Sequence, residues 1–143
     1  MKGEISLKLL IVSHGEFCNG ILDSYQMIAG ENKNMVAVSL TDAGIQDFVE
    51  RLTDQLAKFA SDEVLILTDI KGGTPYNEAY KYYLSNEKRV RVVAGMNLPM
   101  VIELGLSLSN SSLAALEELA IEQGRKGITG LLEEENVEEE LEF

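Results

Sequence analysis

The sequence predicts one α/β domain of the doubly wound, three-layer class, with helices on both faces of a mostly parallel central sheet. First, short apolar runs rich in leucine and β-branched residues alternate with segments whose apolar residues recur at helical spacing. Second, parallel neighbouring strands require a crossover connection, and the intervening helices supply it. Third, the length of 143 residues is the usual size of one domain.

Four apolar runs are predicted to form the strands of this sheet. The first, residues 5–12, is almost continuously apolar, as expected for a strand covered on both faces. Three further strands are predicted at 35–40, 63–69 and 89–94. A last short apolar segment, residues 128–132, is predicted to add an edge strand.

Each predicted helix combines an apolar stripe at helical spacing with a start or stop signal. Helices are expected over 16–29, 45–59, 75–84, 99–106 and 113–122. The start signals are Thr41 or Asp42, Thr74 with Pro75, Pro99, and Ser111 or Ser112; the stop signals are Gly30 and Gly124.

Composition indicates a soluble, unprocessed protein of the cytoplasm. No apolar run approaches the roughly 18 residues that cross a membrane, and the short start at Met1 carries no secretion signal. The single cysteine, Cys18, cannot form an internal disulfide and has no metal-ligand companion at a recognised spacing. A small buried apolar role is expected for it, and neither a metal nor a cofactor is expected.

The net charge of −12 is concentrated at one end of the chain. Seven glutamates fall in the last eleven residues, and without them the net charge is −5. We therefore expect a domain over residues 1–132 and a solvated acidic tail over 133–143. A moderately acidic body disfavours nucleic acid, whose phosphates require clustered cations, and suits a basic protein partner.

Polar residues follow three of the predicted strands. His14, the only histidine, comes after the first strand, Asp69 closes the third, and Asn97 follows the fourth. Because the carboxyl ends of parallel strands meet at one edge of the sheet, these side chains are expected to converge in a ligand-binding crevice. A carboxylate on one ring nitrogen would set the tautomer of the imidazole and stabilise positive charge on it.

The loop after Asp69 has the features of an anion site. Gly72 and Gly73 permit close approach of backbone N–H groups, Thr74 adds a hydroxyl, and the helix opened by Pro75 presents the positive end of its dipole. The sequence lacks the phosphate-loop, dinucleotide and nucleophile-elbow motifs. The combination favours transfer of a phosphoryl group through a phosphohistidine.

Other interpretations of the same residues remain open at this point. A hydrolase would use Thr74 as the nucleophile and His14 as the base. A binding module would sense an anionic metabolite at the glycine loop without chemistry. In the plainest interpretation His14 is a hydrogen-bonded structural residue, and Asp69 and the glycines only form a turn. Helix packing likewise explains the tyrosines of the third helix without a ligand.

Three separated motifs resemble the mannose-family enzyme IIA of the bacterial sugar phosphotransferase system. They occur in the family's order, and the similarity runs from about residue 9 to residue 131. The motifs are Ser13-His14-Gly15-Glu16-Phe17, Asp69-Ile70-Lys71-Gly72-Gly73-Thr74-Pro75-Tyr76-Asn77 and Gly95-Met96-Asn97-Leu98-Pro99-Met100. A phosphoryl-carrying subunit of a dihydroxyacetone kinase system is the alternative within the same fold, but the second and third motifs favour the sugar system.

The resemblance implies a carrier that takes a phosphoryl group from the phosphocarrier protein HPr onto His14 and passes it to a IIB component. Membrane-embedded IIC and IID components would select the sugar. By the same resemblance, Asp69 bonds the ring nitrogen that is not phosphorylated, Thr74 lies near the phosphoryl group, and Gly15, Asn97 and Pro99 line the site.

The resemblance also bears on assembly and on one departure from the family pattern. Many members are homodimers in which a C-terminal strand pairs across the subunits, and residues 128–132 are the candidate strand here. An aromatic residue often precedes the glycine pair in the family, whereas this chain has Lys71. The acidic tail stands where fused members have a linker to IIB, so a separate IIB partner is expected.

Overall fold

Four parallel strands form the central sheet in the order β2-β1-β3-β4. A computed structural model describes residues 6–134 of the chain. The strands are β1 Leu7–His14, β2 Met35–Leu40, β3 Glu63–Thr68 and β4 Val90–Ala94. All four had been predicted from their apolar runs, and every pairing within the sheet is parallel. The predicted fold class is therefore confirmed.

Helices cover both faces of the sheet because the side chains of each strand alternate between two cores. The helices are α1 Phe17–Ala29, α2 Ile45–Lys58, α3 Thr74–Leu84, α4 Leu98–Ser107, α5 Leu113–Lys126 and α6 Leu131–Glu134, with a 3-10 turn at Leu108–Asn110. On β1, Leu9 and Ile11 pack with residues of α1, α4 and α5, whereas Leu10 and Val12 pack with residues of α2 and α3. The result is a three-layer domain.

The strand order creates a switch point between β1 and β3. The chain leaves β1 toward β2 on one side of the sheet, and it returns through α2 to β3 on the other side of β1. Helices that follow adjacent strands on opposite faces leave a crevice between them at the carboxyl edge. His14 ends β1 at this edge, and Asp69 follows β3 there.

The predicted edge strand at residues 128–132 is wrong for the described chain. Residues 128–130 have no regular structure, and α6 begins at Leu131. The Ile128 N–H donates to the Arg125 carbonyl at 3.2 Å, within the turn that ends α5, and the side chains of Ile128, Leu131 and Leu132 are exposed. The predicted boundary after residue 132 falls inside α6, and residues 135–143 of the predicted tail lie outside the described range.

Several helix ends differ from their predicted signals. Helix α2 starts after Gly44, and the Thr41 hydroxyl instead accepts a bond from the Ala43 N–H within the preceding turn. Helix α5 is capped by Ser112, which was one of the two predicted caps. The helix does not end at Gly124 as predicted but continues to Lys126. Gly124 packs against Met100 of α4, so this glycine brings two helices together.

No helix within residues 6–134 is long and apolar enough to cross a membrane.

Candidate functional site

His14 is the last residue of β1, and about half of its side chain is exposed. The chain turns sharply after His14 because Gly15 adopts a positive φ of 57°, a conformation that residues other than glycine rarely adopt. The Gly15 N–H donates to the Leu40 carbonyl at 2.7 Å and so ties this turn to β2. The imidazole therefore stands at the rim of the sheet on a fixed backbone.

A buried serine holds the turn between β1 and α1 in place. The Ser13 hydroxyl accepts a bond from the Cys18 N–H at 2.8 Å and donates to the His14 carbonyl at 3.1 Å. It thus satisfies one of the N–H groups that the first turn of a helix leaves without a partner. The sequence alone shows Ser13 only as part of a motif. The one feature that points to its role is a hydroxyl at the end of an otherwise apolar strand.

The carboxylate of Asp69 binds His14 twice. Its Oδ2 accepts the His14 backbone N–H at 2.9 Å and lies 2.8 Å from the ring Nδ1. Its Oδ1 accepts the Ile70 N–H at 2.9 Å. An ionised carboxylate can only accept, so Nδ1 carries the proton and Nε2 holds the lone pair of the neutral ring. The predicted pairing of His14 with Asp69 is therefore present in the structure.

Asp69 stays ionised at neutral pH. Desolvation by burial raises its pKa, but the bonds from the His14 N–H, the His14 ring and the Ile70 N–H, with the charge of the imidazole, act in the opposite direction and together prevail. The pKa of Asp69 is consequently below its usual value. The Asp69 side chain is only 14% exposed, so solvent screens its interaction with the imidazole only weakly.

The glycine loop lies directly against the imidazole. A Cβ built on Gly73 would lie 2.7 Å from Cε1 of His14 and 3.2 Å from Nε2, which is closer than real side chains approach. Only glycine therefore fits between the ring and the start of α3. Asn77 braces the loop by donating its side-chain amide to the Gly72 carbonyl at 3.2 Å.

Helix α3 starts beside Nε2 of His14. The N-cap of α3 is Gly73, so the start signal predicted at Thr74 is one residue late. Thr74 is the first helical residue, and no side chain caps this helix. Among residues 6–134, none of the side-chain hydrogen bonds in the structure joins Thr74 to His14. The first turn of α3 has N–H groups without intrahelical partners and the positive end of the helix dipole, and both favour an anion beside Nε2.

Asn97 and Pro99 serve the packing of α4 against α5. The Asn97 side chain caps α4 by accepting the Met100 N–H at 3.0 Å, and it donates to the Gly124 carbonyl at 2.9 Å. Pro99 lies against Gly127 at the end of α5. In the described part of the chain the side-chain bonds of Asn97 thus join α4 and α5, whereas those of Asp69 hold His14. That Asn97 and Pro99 form part of the wall of the site stays a prediction.

Thr68, next to Asp69, is a feature that sequence reasoning missed. Its side chain is fully buried, and Oγ1 has no hydrogen-bond partner in the described structure. Its carbonyl accepts the N–H groups of Gly95 and Met96, which ties the loop after β4 to the end of β3. In sequence, Thr68 looked like one more β-branched residue of a buried strand.

The remaining neighbours of the site have simpler roles. Cys18 is buried as expected, and burial raises the pKa of its thiol. Lys71 is exposed in the loop between Asp69 and Gly73. Within residues 6–134 no three His, Cys, Asp or Glu side chains cluster as a metal ion would require.

About half of the His14 side chain is accessible at the carboxyl edge of the sheet. Two cavities of the protein lie elsewhere: one of about 390 Å³ between α2 and α3, lined in part by Leu52 and Tyr82, and one of about 570 Å³ along α5. A small-molecule enzyme usually encloses its substrate in a concave pocket. An exposed imidazole with a fixed tautomer suits a reaction in which another protein covers the site.

The fold and the site together define a class of protein: a doubly wound α/β domain that presents a carboxylate-oriented histidine at the switch point of its sheet. The family model EIIA-man, described as the fructose IIA component of the phosphotransferase system, matches residues 8–121. The chain belongs to this family, so it is a IIA-type component of a sugar phosphotransferase system. The resemblance seen in the three motifs is thereby confirmed.

Individual relatives agree with this assignment. The chain is 36% identical over 115 residues to the fructose-specific EIIA component of Bacillus subtilis, a match that covers 79% of this chain and 76% of that protein. It is 30% identical over 130 residues to the mannose-specific EIIAB component of Escherichia coli; that match covers 89% of this chain but only 40% of the longer protein.

Solved structures show the same fold. The EIIA component from Streptococcus agalactiae superimposes with a TM-score of 0.79 at 31% identity, covering 87% of this chain and 96% of that one. The mannose/sorbose-specific IIA subunit from Enterococcus faecalis gives a TM-score of 0.73 at 33% identity, covering 89% and 96%.

Proposed function

We propose that His14 is the phosphoryl carrier of this IIA component: Nε2 accepts a phosphoryl group from phospho-HPr and passes it to a IIB component. The observation that supports this most is the 2.8 Å contact between Nδ1 of His14 and Oδ2 of Asp69. It leaves Nε2 as the nucleophilic nitrogen, beside Gly73 and the start of α3.

The transfer is a displacement at phosphorus. The lone pair of Nε2 forms a new N–P bond while the N–P bond of the donor histidine breaks, and the leaving imidazole of the donor keeps the electron pair. Positive charge develops on the ring of His14, and the Asp69 carboxylate stabilises it through Nδ1–H. Transfer to IIB runs through the same steps in reverse, with an acceptor side chain of IIB as the nucleophile.

The glycine loop supplies the surroundings of the phosphoryl group. The absence of a side chain at Gly73 leaves room beside Nε2, and the first turn of α3 offers N–H groups to the phosphoryl oxygens. In this proposal Thr74, at the start of that turn, adds its hydroxyl. This arrangement needs positioning and charge stabilisation, so neither a metal nor a cofactor is part of the proposal.

The proposal includes the setting of the reaction. HPr and IIB are the protein partners, IIC and IID in the membrane act downstream, the protein works in the cytoplasm, and a homodimer is the assembly. The exposure of His14 supports a protein partner over a small ester, which a hydrolase would take into a pocket. The Thr74 hydroxyl has no bond to His14 in the described structure, so nothing favours it as an activated nucleophile.

A labelling experiment tests the proposal. The wild-type protein and His14→Ala are incubated with labelled phosphoenolpyruvate, enzyme I and HPr, and the protein is then assayed for an acid-labile, alkali-stable phosphoryl group. We expect the label on wild type and none on His14→Ala. A wild-type protein that takes no label from phosphorylated HPr would overturn the assignment.

A further inference from the structure

The loop that touches His14 carries one cation, Lys71. Its side chain is exposed, and in the described part of the chain it makes no hydrogen bond and no ion pair. The nearest carboxylates along the sequence have other partners. Asp69 holds the His14 ring, and Glu78 pairs with Lys81 at 3.0 Å. No contact within the described fold therefore uses the charge of Lys71.

The ammonium of Lys71 can reach the space beside Nε2 of His14. A Cβ on Gly73 would lie 3.2 Å from Nε2, so the backbone of Gly73 borders this space. Two peptide units separate Lys71 from Gly73, which keeps their Cα atoms within about 7.6 Å of each other. A lysine stem is flexible and spans about 6 Å, and a hydrogen bond adds about 3 Å. A phosphoryl group on Nε2 is therefore within reach of the ammonium.

The phosphorylated site needs a positive charge of this kind. A phosphoryl group carries about two negative charges, and the Asp69 carboxylate lies on the other side of the ring. The start of α3 supplies the equivalent of only about half a positive charge. Arg51, on α2, is already bonded to Asp47 and to the Ser39 carbonyl near the end of β2. Lys71 is the cation that has both the position and the freedom to act.

We propose that Lys71 binds the phosphoryl group on His14. Its ammonium donates hydrogen bonds to the phosphoryl oxygens and stabilises the phosphorylated protein relative to the free protein. The inference rests on the proposed function, because His14 must carry the group for Lys71 to bind it. The contact is non-covalent, and Lys71 neither receives nor transfers the phosphoryl group.

The equilibrium of phosphoryl transfer tests this assignment. Purified, labelled phospho-HPr is mixed with the protein without enzyme I or phosphoenolpyruvate, and the label on each partner is measured once it is constant. The same end point is approached from the phosphorylated protein and free HPr. A residue that only helps the two proteins dock changes the forward and reverse rates alike, whereas a residue that binds the phosphoryl group shifts the equilibrium constant.

The variants separate the charge of Lys71 from its size and from the net charge of the protein. Lys71→Met keeps an unbranched side chain without the charge, and Lys71→Arg keeps the charge. Lys58→Met is the matched control, because Lys58 is an exposed lysine at the end of α2, before β3 begins at the opposite edge of the sheet. It removes the same unit of charge far from His14.

We expect Lys71→Met to lower the equilibrium constant for phosphorylation of the protein by HPr about fivefold. Lys71→Arg and Lys58→Met should match wild type. The difference between Lys71→Met and wild type should shrink at about 1 M salt, where the Debye length falls to about 3 Å.

Equal constants for Lys71→Met and wild type would overturn this inference, and so would an equal loss in Lys58→Met. In both cases the labelled wild type leaves the proposed function standing. A wild type that takes no label from phospho-HPr would instead overturn the proposed function.

Discussion

One carboxylate oxygen, Oδ2 of Asp69, binds both the backbone N–H and the ring Nδ1 of His14, at 2.9 Å and 2.8 Å. The two bonds restrain the residue at its backbone and at its ring, so the imidazole has both a fixed direction and a fixed tautomer. Asp69 lies 55 residues along the chain, directly after a different strand, and the adjacency of β1 and β3 brings the two residues together.

Replacing this carboxylate should slow transfer without removing the nucleophile. Asp69→Asn keeps the shape of the side chain but loses its charge, so positive charge on the ring is no longer stabilised and the tautomer is no longer set. We expect the rate of His14 phosphorylation to fall at least about tenfold. Asp62→Asn, which alters an exposed carboxylate bonded to Ser6, is the control and should leave the rate unchanged. Equal rates in Asp69→Asn and wild type would remove Asp69 from the mechanism.

Asp69 should also make stability depend on pH. Its pKa in the folded protein is lowered, so its contribution is fully present above the unfolded-state pKa of about 4 and is lost as pH falls through the lower folded value. The difference in the free energy of unfolding between wild type and Asp69→Asn should therefore shrink below about pH 4. Urea unfolding of both proteins from pH 7 to pH 2 measures it, and a difference that does not change with pH would contradict the prediction.

A methyl group at Gly73 should impair the site by steric contact alone. The added Cβ would lie 2.7 Å from Cε1 of His14, so either the ring or the start of α3 must move. Because a displacement of about 1 Å can cost about a hundredfold in rate, we expect Gly73→Ala to slow phosphorylation at least about tenfold.

Gly20→Ala provides the control for that change. Gly20 lies within α1, and a Cβ there meets nothing within 4 Å. The substitution should leave transfer unchanged and stabilise the helix by about 0.5 to 1 kcal/mol. A wild-type rate of phosphoryl transfer in Gly73→Ala would show that the close fit between this loop and the imidazole does not affect the reaction.

Ser13 should contribute to stability through its bond to α1. Ser13→Ala leaves the Cys18 N–H without its partner in a buried place, which costs about 1 to 3 kcal/mol of the free energy of unfolding. Ser85→Ala, at the exposed end of α3, should change that free energy by less than about 0.5 kcal/mol. Chemical unfolding of both variants measures the difference, and equal losses would show that the bond to Cys18 is unimportant.

The convergence of His14 and Asp69 could be predicted from sequence because both follow buried parallel strands, and such strands end at one edge of the sheet. The distance between Gly73 and the ring could not, since it depends on how two loops meet after all the strands have paired. The roles of Ser13 and Thr68 were equally hidden, because a single hydroxyl in an apolar strand does not reveal whether it finds a partner.

Helix ends show the same limit. Ser112 was correctly among the predicted caps, but Thr41, Asp42 and Thr74 have the right chemistry and do not cap, because the backbone enters those helices at glycines. Residues 128–132 are apolar enough for a strand, but in the described structure residues 128–130 follow the turn at the end of α5 and α6 begins at Leu131.

The nitrogen that carries the phosphoryl group is the most direct test of the account. NMR of the phosphorylated protein with ¹⁵N-labelled histidine distinguishes the two ring nitrogens through their coupling to ³¹P. The structure of the pair His14 and Asp69 predicts a phosphoryl group on Nε2 and a retained proton on Nδ1. A phosphoryl group on Nδ1 would contradict the central claim, because it would require the bond to Asp69 to be broken.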